Sequence, residues 1–195
     1  MDPDAYLCQL AEIFNGISVN TPSLSAIIAI ILAGLLLLAS GFASASEIAF
    51  FSLSPSDLND IEEGNHPSDG KISNLLADSE RLLATILITN NFVNVTIIML
   101  CNFFFMNVFV FHSPLAEFLI LTVILTFLLL LFGEIMPKIY SAQKTLAFCR
   151  FSAPVIYVLR KVFAPISAVL VHSTAFLNKH FAKKNHNISV DELSH

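Results

Sequence analysis

Three stretches without Asp, Glu, Lys or Arg constrain this chain more than any other feature: Ile13 to Ser46, Leu82 to Ala116, and Phe118 to Gly133. The densest part of the first, LSAIIAIILAGLLLLASGFA at residues 24–43, is twenty residues long. That length crosses the hydrocarbon core of a bilayer as a helix. A backbone in hydrocarbon must satisfy its own N–H and C=O groups, so runs of this kind become helices. The second stretch exceeds one span. It predicts a helix over residues 83–109 and then a turn, FHSPLA, in which Pro114 opens the next helix. The third span then covers residues 114–136, with Glu117 snorkelling at the interface. With 55% hydrophobic and 13% charged residues and a mean hydropathy of +0.75, the chain reads as an all-α integral membrane protein with three transmembrane helices.

Orientation follows from the basic residues. None precedes Lys71; Lys71 and Arg81 lie between spans one and two, and the other eight follow span three. The positive-inside rule puts the N-terminus outside and the C-terminus in the cytosol. Residues 1–20 are then an extracytoplasmic segment, acidic and without the basic start of a signal peptide. Residues 47–82 form a cytosolic-side helical hairpin, two short helices broken at EGNHPSDG. Residues 141–182 mix apolar faces with Lys and Arg and are punctuated by Pro154 and Pro165. They read as a juxtamembrane amphipathic helical belt, because Arg160 and Lys161 interrupt any twenty-residue apolar window. Residues 183–195 look like a cytosolic linker. No basic tract interleaved with aromatics occurs, so nucleic acid is not an expected partner. Cys8, Cys101 and Cys149 are far apart and suggest neither disulfide nor metal pair.

Polar residues inside the spans carry the functional signal. In ASGFASASE, Ser40, Ser44 and Glu47 are at i, i+4 and i+7 and share a helix face, while Gly41, Ala43 and Ala45 permit close helix approach. The alternative is packing alone, with the serine hydroxyls bonded to their own i−4 carbonyls. In LITNNFVN, Asn90 and Asn94 face one way and Asn91 is turned by about 100°. One asparagine could be interhelical glue; three point to a polar cavity. In FGEIMPK, Gly133 permits a close approach or a distorted turn. Pro137 removes the donor that Gly133's carbonyl would take, leaving that carbonyl beside the Glu134 carboxylate. Pairing of Glu134 with Lys138 at i+4 is the structural alternative. Lys138 would then mark the cytosolic edge and compete for Glu134 in the absence of an ion. All three clusters fall at the cytosolic ends of their spans. Hydroxyl, carboxamide, carbonyl and carboxylate oxygens suit Mg²⁺, Ca²⁺ or Na⁺ rather than zinc or copper.

SASEIAFFSLSPSDL, LLATILITNNFVNV and GEIMPKIYSAQ, in this order, resemble the transmembrane domain of the CNNM/CorB/CorC magnesium transporters. That set includes the bacterial hemolysin-like and gliding-motility-associated branches. The resemblance covers residues 20–182. It implies a homodimer in the bacterial cytoplasmic membrane and a Mg²⁺ site in each subunit. The ligands it implies are Ser44, Asn90, the Gly133 backbone and Glu134, with Ser46 as a further oxygen donor. Ser40, Glu47, Asn91, Asn94, Pro137 and Lys138 then belong to the ion path or its supporting layer. Ala45 departs from the Gly that bacterial members often carry there. ISVDELSH looks like the lead into the family's paired CBS domains, so the chain reads as a fragment of a longer protein.

The leading expectation is therefore Mg²⁺ transport, outward by alternating access, with sodium coupling implied by the resemblance alone. The competing reading is a membrane-embedded Mg²⁺ sensor or scaffold signalling through a cytosolic CBS domain without transport. An enzyme is not expected: no zinc pair, nucleophile elbow or histidine near the serines appears.

Overall fold

The computed structural model describes residues 18–110 and 114–171. The expected extracytoplasmic segment up to Ile17, the turn at residues 111–113, the end of the belt from residue 172 and the linker lie outside the described residues. The elements run β1 (Ser18–Val19), α1 (Leu24–Phe51), α2 (Pro55–Glu62), α3 (Asp69–Leu76), α4 (Ser79–Val108), β2 (Phe109–Val110) and α5 (Pro114–Leu128). A π-helical segment (Leu129–Ile135), α6 (Met136–Gln143) and α7 (Thr145–Val162) follow, and then α8 (Ala164–Val171). Among the described residues three helices are long and apolar enough to cross a membrane, Leu24–Phe51, Ser79–Val108 and Glu117–Gln143, and the bent pair Thr145–Val162 with Ala164–Val171 would be a fourth if it forms one span. Each of the three extends past the sequence-derived bounds, because one end continues as helix beyond the apolar run. α1 passes through Glu47 to Phe51, and α4 starts at Ser79.

The chain divides into two compact units, Met1–Ile48 with Asn90–Gln143, and Ala49–Thr89 with Lys144–His195. In the first, small residues Ala26, Ala29, Ala33, Ser40 and Ser44 are buried along α1. Their three- and four-residue spacing makes one narrow face that lets a neighbouring helix come close. Ala33 packs with Val93, Ile97 and Cys101 of α4 and Leu125 of α5. Many of the large apolar side chains on these helices are exposed, Leu35, Leu38, Phe92, Met99, Val123 and Phe127 among them. Such a surface suits lipid. β1 pairs antiparallel with β2, Ser18 opposite Val110, and Asn20 N–H donates to the Val108 carbonyl at 2.7 Å. This clip was not legible in the sequence; two residues per strand carry no periodicity.

In the second unit, α2 begins with a reciprocal cap. Asp57 N–H donates to Ser54 Oγ at 3.2 Å, and Ser54 N–H donates to Asp57 Oδ2 at 2.9 Å, while Pro55 needs no N–H at this position. α3 packs on α7. The core residues Ile72 and Leu75 of α3 and Cys149, Ala153 and Ile156 of α7 are buried. Arg150 Nε donates to Asp69 Oδ1 at 2.8 Å and its Nη2 to Oδ2 at 3.1 Å. This bidentate pair has an almost fully enclosed carboxylate. Pro154, expected to punctuate the belt, instead sits inside α7. The lost backbone bond is tolerated where the neighbouring turn is packed by Ala153 and Ile156. The break falls at Phe163, before Pro165, where α8 departs from α7 at 79°.

Candidate functional site

Ser40 is the hub of the first unit. Its hydroxyl lies 2.9 Å from Asn90 Oδ1 and 2.6 Å from Asn94 Oδ1. Asn90 and Asn94 are one turn apart on α4, so one α1 hydroxyl spans two successive carboxamides. A hydroxyl has one proton and two lone pairs. Ser40 therefore donates to one carboxamide at a time, and the other has an oxygen to offer elsewhere or turns its NH₂ to Ser40. Asn91 is exposed, as its turn around the helix requires.

Ser44 is one turn further along the same face. It is completely buried, and its Oγ has no hydrogen-bond partner among the described residues. An enclosed polar group without a partner costs about 1–3 kcal/mol. Ser46 is equally buried, but its Oγ donates to its own i−4 carbonyl, Phe42, at 2.7 Å. The packing-only alternative thus describes Ser46, whereas Ser40 bonds across helices and Ser44 bonds to nothing described.

The third span meets α1 at two glycines. A Cβ on Gly133 would lie 3.1 Å from Ser40 Oγ and 3.6 Å from Leu37 Cδ1. A Cβ on Gly41 would lie 2.9 Å from Pro137 Cγ and 3.3 Å from the Phe132 carbonyl oxygen. Gly133 and Glu134 both sit in the π-helical segment, whose end is marked by Met136 N–H bonding to the Leu131 carbonyl, five residues back. π turns are rare and concentrate at functional sites. Each shifts the residues beyond it relative to an α-helix, which here re-aims the turn carrying Gly133 and Glu134. Pro137 supplies no N–H to the Gly133 carbonyl. The sequence indicated a distortion at Gly133; its π character was not legible.

Glu134 is half-buried, and no described cation lies within ion-pair distance of it. The structural alternative, Glu134 paired with Lys138, is not what forms. Lys138 Nζ is 3.0 Å from Glu47 Oε2. Past the π segment, Lys138 reaches α1 instead of its own preceding turn. Among the described residues no three His, Cys, Asp or Glu side chains converge, so a cation here would rely on hydroxyl, amide and carbonyl oxygens beside a single carboxylate. Further along the same unit, a groove between α4 and α5 is lined by Asn102, Glu117, Thr122 and Thr126 together with apolar side chains.

A family model described as the Cyclin M transmembrane N-terminal domain, CNNM, matches residues 30–195. The chain belongs to the CNNM family. A Haemophilus influenzae relative named UPF0053 protein is 32% identical over 130 residues, 67% of this chain and 30% of the relative. The chain thus spans less than a third of that relative's length. The family match encloses Ser40, Ser44, Asn90, Asn94, Gly133 and Glu134, so the polar cluster lies within the CNNM domain.

Proposed function

We propose that this CNNM domain moves Mg²⁺ across a bacterial cytoplasmic membrane, outward, by alternating exposure of a site built on Ser44, Asn90, the Gly133 carbonyl and Glu134. The observation that carries this reading is the Ser44 hydroxyl, enclosed and unpartnered one turn from the Ser40–Asn90–Asn94 cluster. A buried hydroxyl kept at a cost in stability is explained by a ligand that it serves. The donors are hard neutral oxygens with one acid, Glu134, next to Gly133 in sequence. That set matches Mg²⁺ in kind. A single carboxylate leaves the ion partly uncompensated, which favours release. Family membership supports a cation as the cargo.

In this reading Ser40 fixes the two carboxamides, Asn94 is the next polar step, and the Lys138–Glu47 pair closes the cytosolic edge. Asn102, Glu117, Thr122 and Thr126 offer polar steps toward the other face. The N-terminus is outside, two subunits associate, and sodium supplies a coupling ion. Ser46 contributes an acceptor lone pair at most, since its proton is committed to Phe42.

The test is Mg²⁺ flux in proteoliposomes with the purified full chain. Glu134→Gln lowers the rate by about tenfold or more, equivalent to about 1.4 kcal/mol. Wild-type flux in that variant would exclude the reading. Stoichiometric Mg²⁺ binding without flux under any gradient would instead identify a sensor.

A further inference from the structure

The second unit holds a basic pocket outside the cation site. Asn74, Arg81, Tyr157, Arg160, Lys161 and Ala164 enclose about 240 Å³. Three cations therefore face one small space. The carboxylate beside them is Asp78, and it is shared. Arg160 Nη2 donates to Asp78 Oδ2 at 3.5 Å, and Arg81 Nε is 3.6 Å from the same oxygen. Asp78 Oδ1 already accepts the Arg81 backbone N–H at 3.2 Å. Glu80 lines a different groove, with Leu83, Ala84, Leu87, Leu170 and Val171.

The three cations are held differently. Arg160 is anchored, its Nη1 donating to the Asn74 carbonyl at 3.0 Å. Lys161 Nζ lies 4.8 Å from the centre of the Tyr157 ring, which positions the ammonium without neutralising it. Arg81 is the most loosely held: its Nε makes no hydrogen bond among the described residues, and its 3.6 Å ion pair with Asp78 is to the carboxylate that Arg160 also uses. Two guanidiniums on one shared carboxylate, with an ammonium beside them, leave an excess of positive charge that suits an oxyanion.

The setting identifies the source of that anion. Along α7, Phe151, Val155, Val158 and Val162 are exposed at helical spacing and form one apolar stripe. Cys149, Ser152, Ala153 and Ile156 on the opposite side are buried. Tyr157 and Lys161 fall on the flank between the two. A helix whose apolar stripe enters lipid brings such a flank to headgroup depth. Arg81 is on the first turn of α4, just before the charge-free run that begins at Leu82.

We propose that Arg81, Arg160 and Lys161 form a binding site for a phosphate group, supplied by the headgroup of an anionic phospholipid. The bound lipid docks the belt helix against the start of the second span. The full chain is purified in detergent, exposed to equimolar phosphatidylglycerol and phosphatidylcholine, and examined by native mass spectrometry. Wild-type protein retains phosphatidylglycerol preferentially. Arg81→Gln/Lys161→Gln lowers that retention by about thirtyfold, the scale set by two cations at a lipid surface. Lys71→Gln, outside the pocket, leaves it unchanged. Should the double variant lose helicity, Lys161→Gln alone gives a smaller loss in the same direction. Equal retention of the two lipids, or undiminished phosphatidylglycerol in the variants, would overturn the site. Millimolar inorganic phosphate leaves the lipid bound; full displacement by it would overturn the lipid as the source.

Discussion

Gly133 of the third span rests against Ser40 of the first so closely that a methyl group on the glycine would lie 3.1 Å from the Ser40 hydroxyl. Ser40 has little freedom to retreat, because the same hydroxyl is bonded to Asn90 and Asn94. Gly133→Ala therefore disturbs three helices at once. The expected destabilisation is about 1–3 kcal/mol, as for an overpacked core. Gly41→Ala is more severe, since the Pro137 ring carbon at 2.9 Å is tied to its own backbone and the Phe132 carbonyl oxygen at 3.3 Å is backbone, so neither can swing away. Thermal unfolding of the purified variants reads the order, wild type above Gly133→Ala above Gly41→Ala.

Ser44→Ala separates function from stability. Removing an enclosed hydroxyl without a partner relieves a desolvation cost, so unfolding stability is unchanged or rises by about 1 kcal/mol. Mg²⁺ affinity and flux fall. Isothermal titration with Mg²⁺ beside a melting curve checks both directions. A fall in stability with unchanged binding would show that the hydroxyl serves packing.

The α3–α7 contact should weaken in acid. The hydrogen bond from Arg150 holds the Asp69 carboxyl below its ordinary value of 3.8, against an opposing effect of burial. A carboxylate depressed in the folded state contributes stability above its unfolded value and loses it as pH falls through the folded value. The contact is therefore intact at neutral pH and opens only below about 3.8. Hydrogen exchange of α3 and α7 amides, measured from pH 6 downward, should show no change until that range. Asp69→Asn should remove the pH dependence and raise exchange throughout.

Cys149 should resist thiol reagents. It is fully buried between α7 and its neighbours, and burial pushes its thiol up to about 12. The thiolate is the reactive form, so maleimide at neutral pH should leave Cys149 unlabelled until the protein is denatured. Labelling in the native state at a rate near that of a free thiol would mean that the α3–α7 contact opens readily.

Much of the architecture was readable because lipid makes severe demands. A charge-free run of twenty residues has one common outcome, a helix, and the three runs were enough to give the three spans. The candidate residues Ser40, Ser44, Asn90, Asn94, Gly133 and Glu134 were visible as polar exceptions within those runs. Their partners were less so. Lys138 looked like the mate of Glu134 because i+4 spacing holds in an α-helix; the π segment breaks that spacing, and Lys138 pairs with Glu47. Pro154 was expected to punctuate the belt, yet it sits inside α7.

By itself the sequence determined which segments cross the membrane, that they are helical, and which polar groups they must carry with them. These follow from hydropathy and from backbone hydrogen bonding, both local properties. Only the tertiary structure decided what each polar group meets. Whether a serine bonds to its own turn, as Ser46 does, to another helix, as Ser40 does, or to nothing described, as Ser44, depends on how closely neighbouring backbones approach. That approach is set by Gly41 and Gly133 packing on residues a hundred positions away in sequence, a distance at which no local pattern survives.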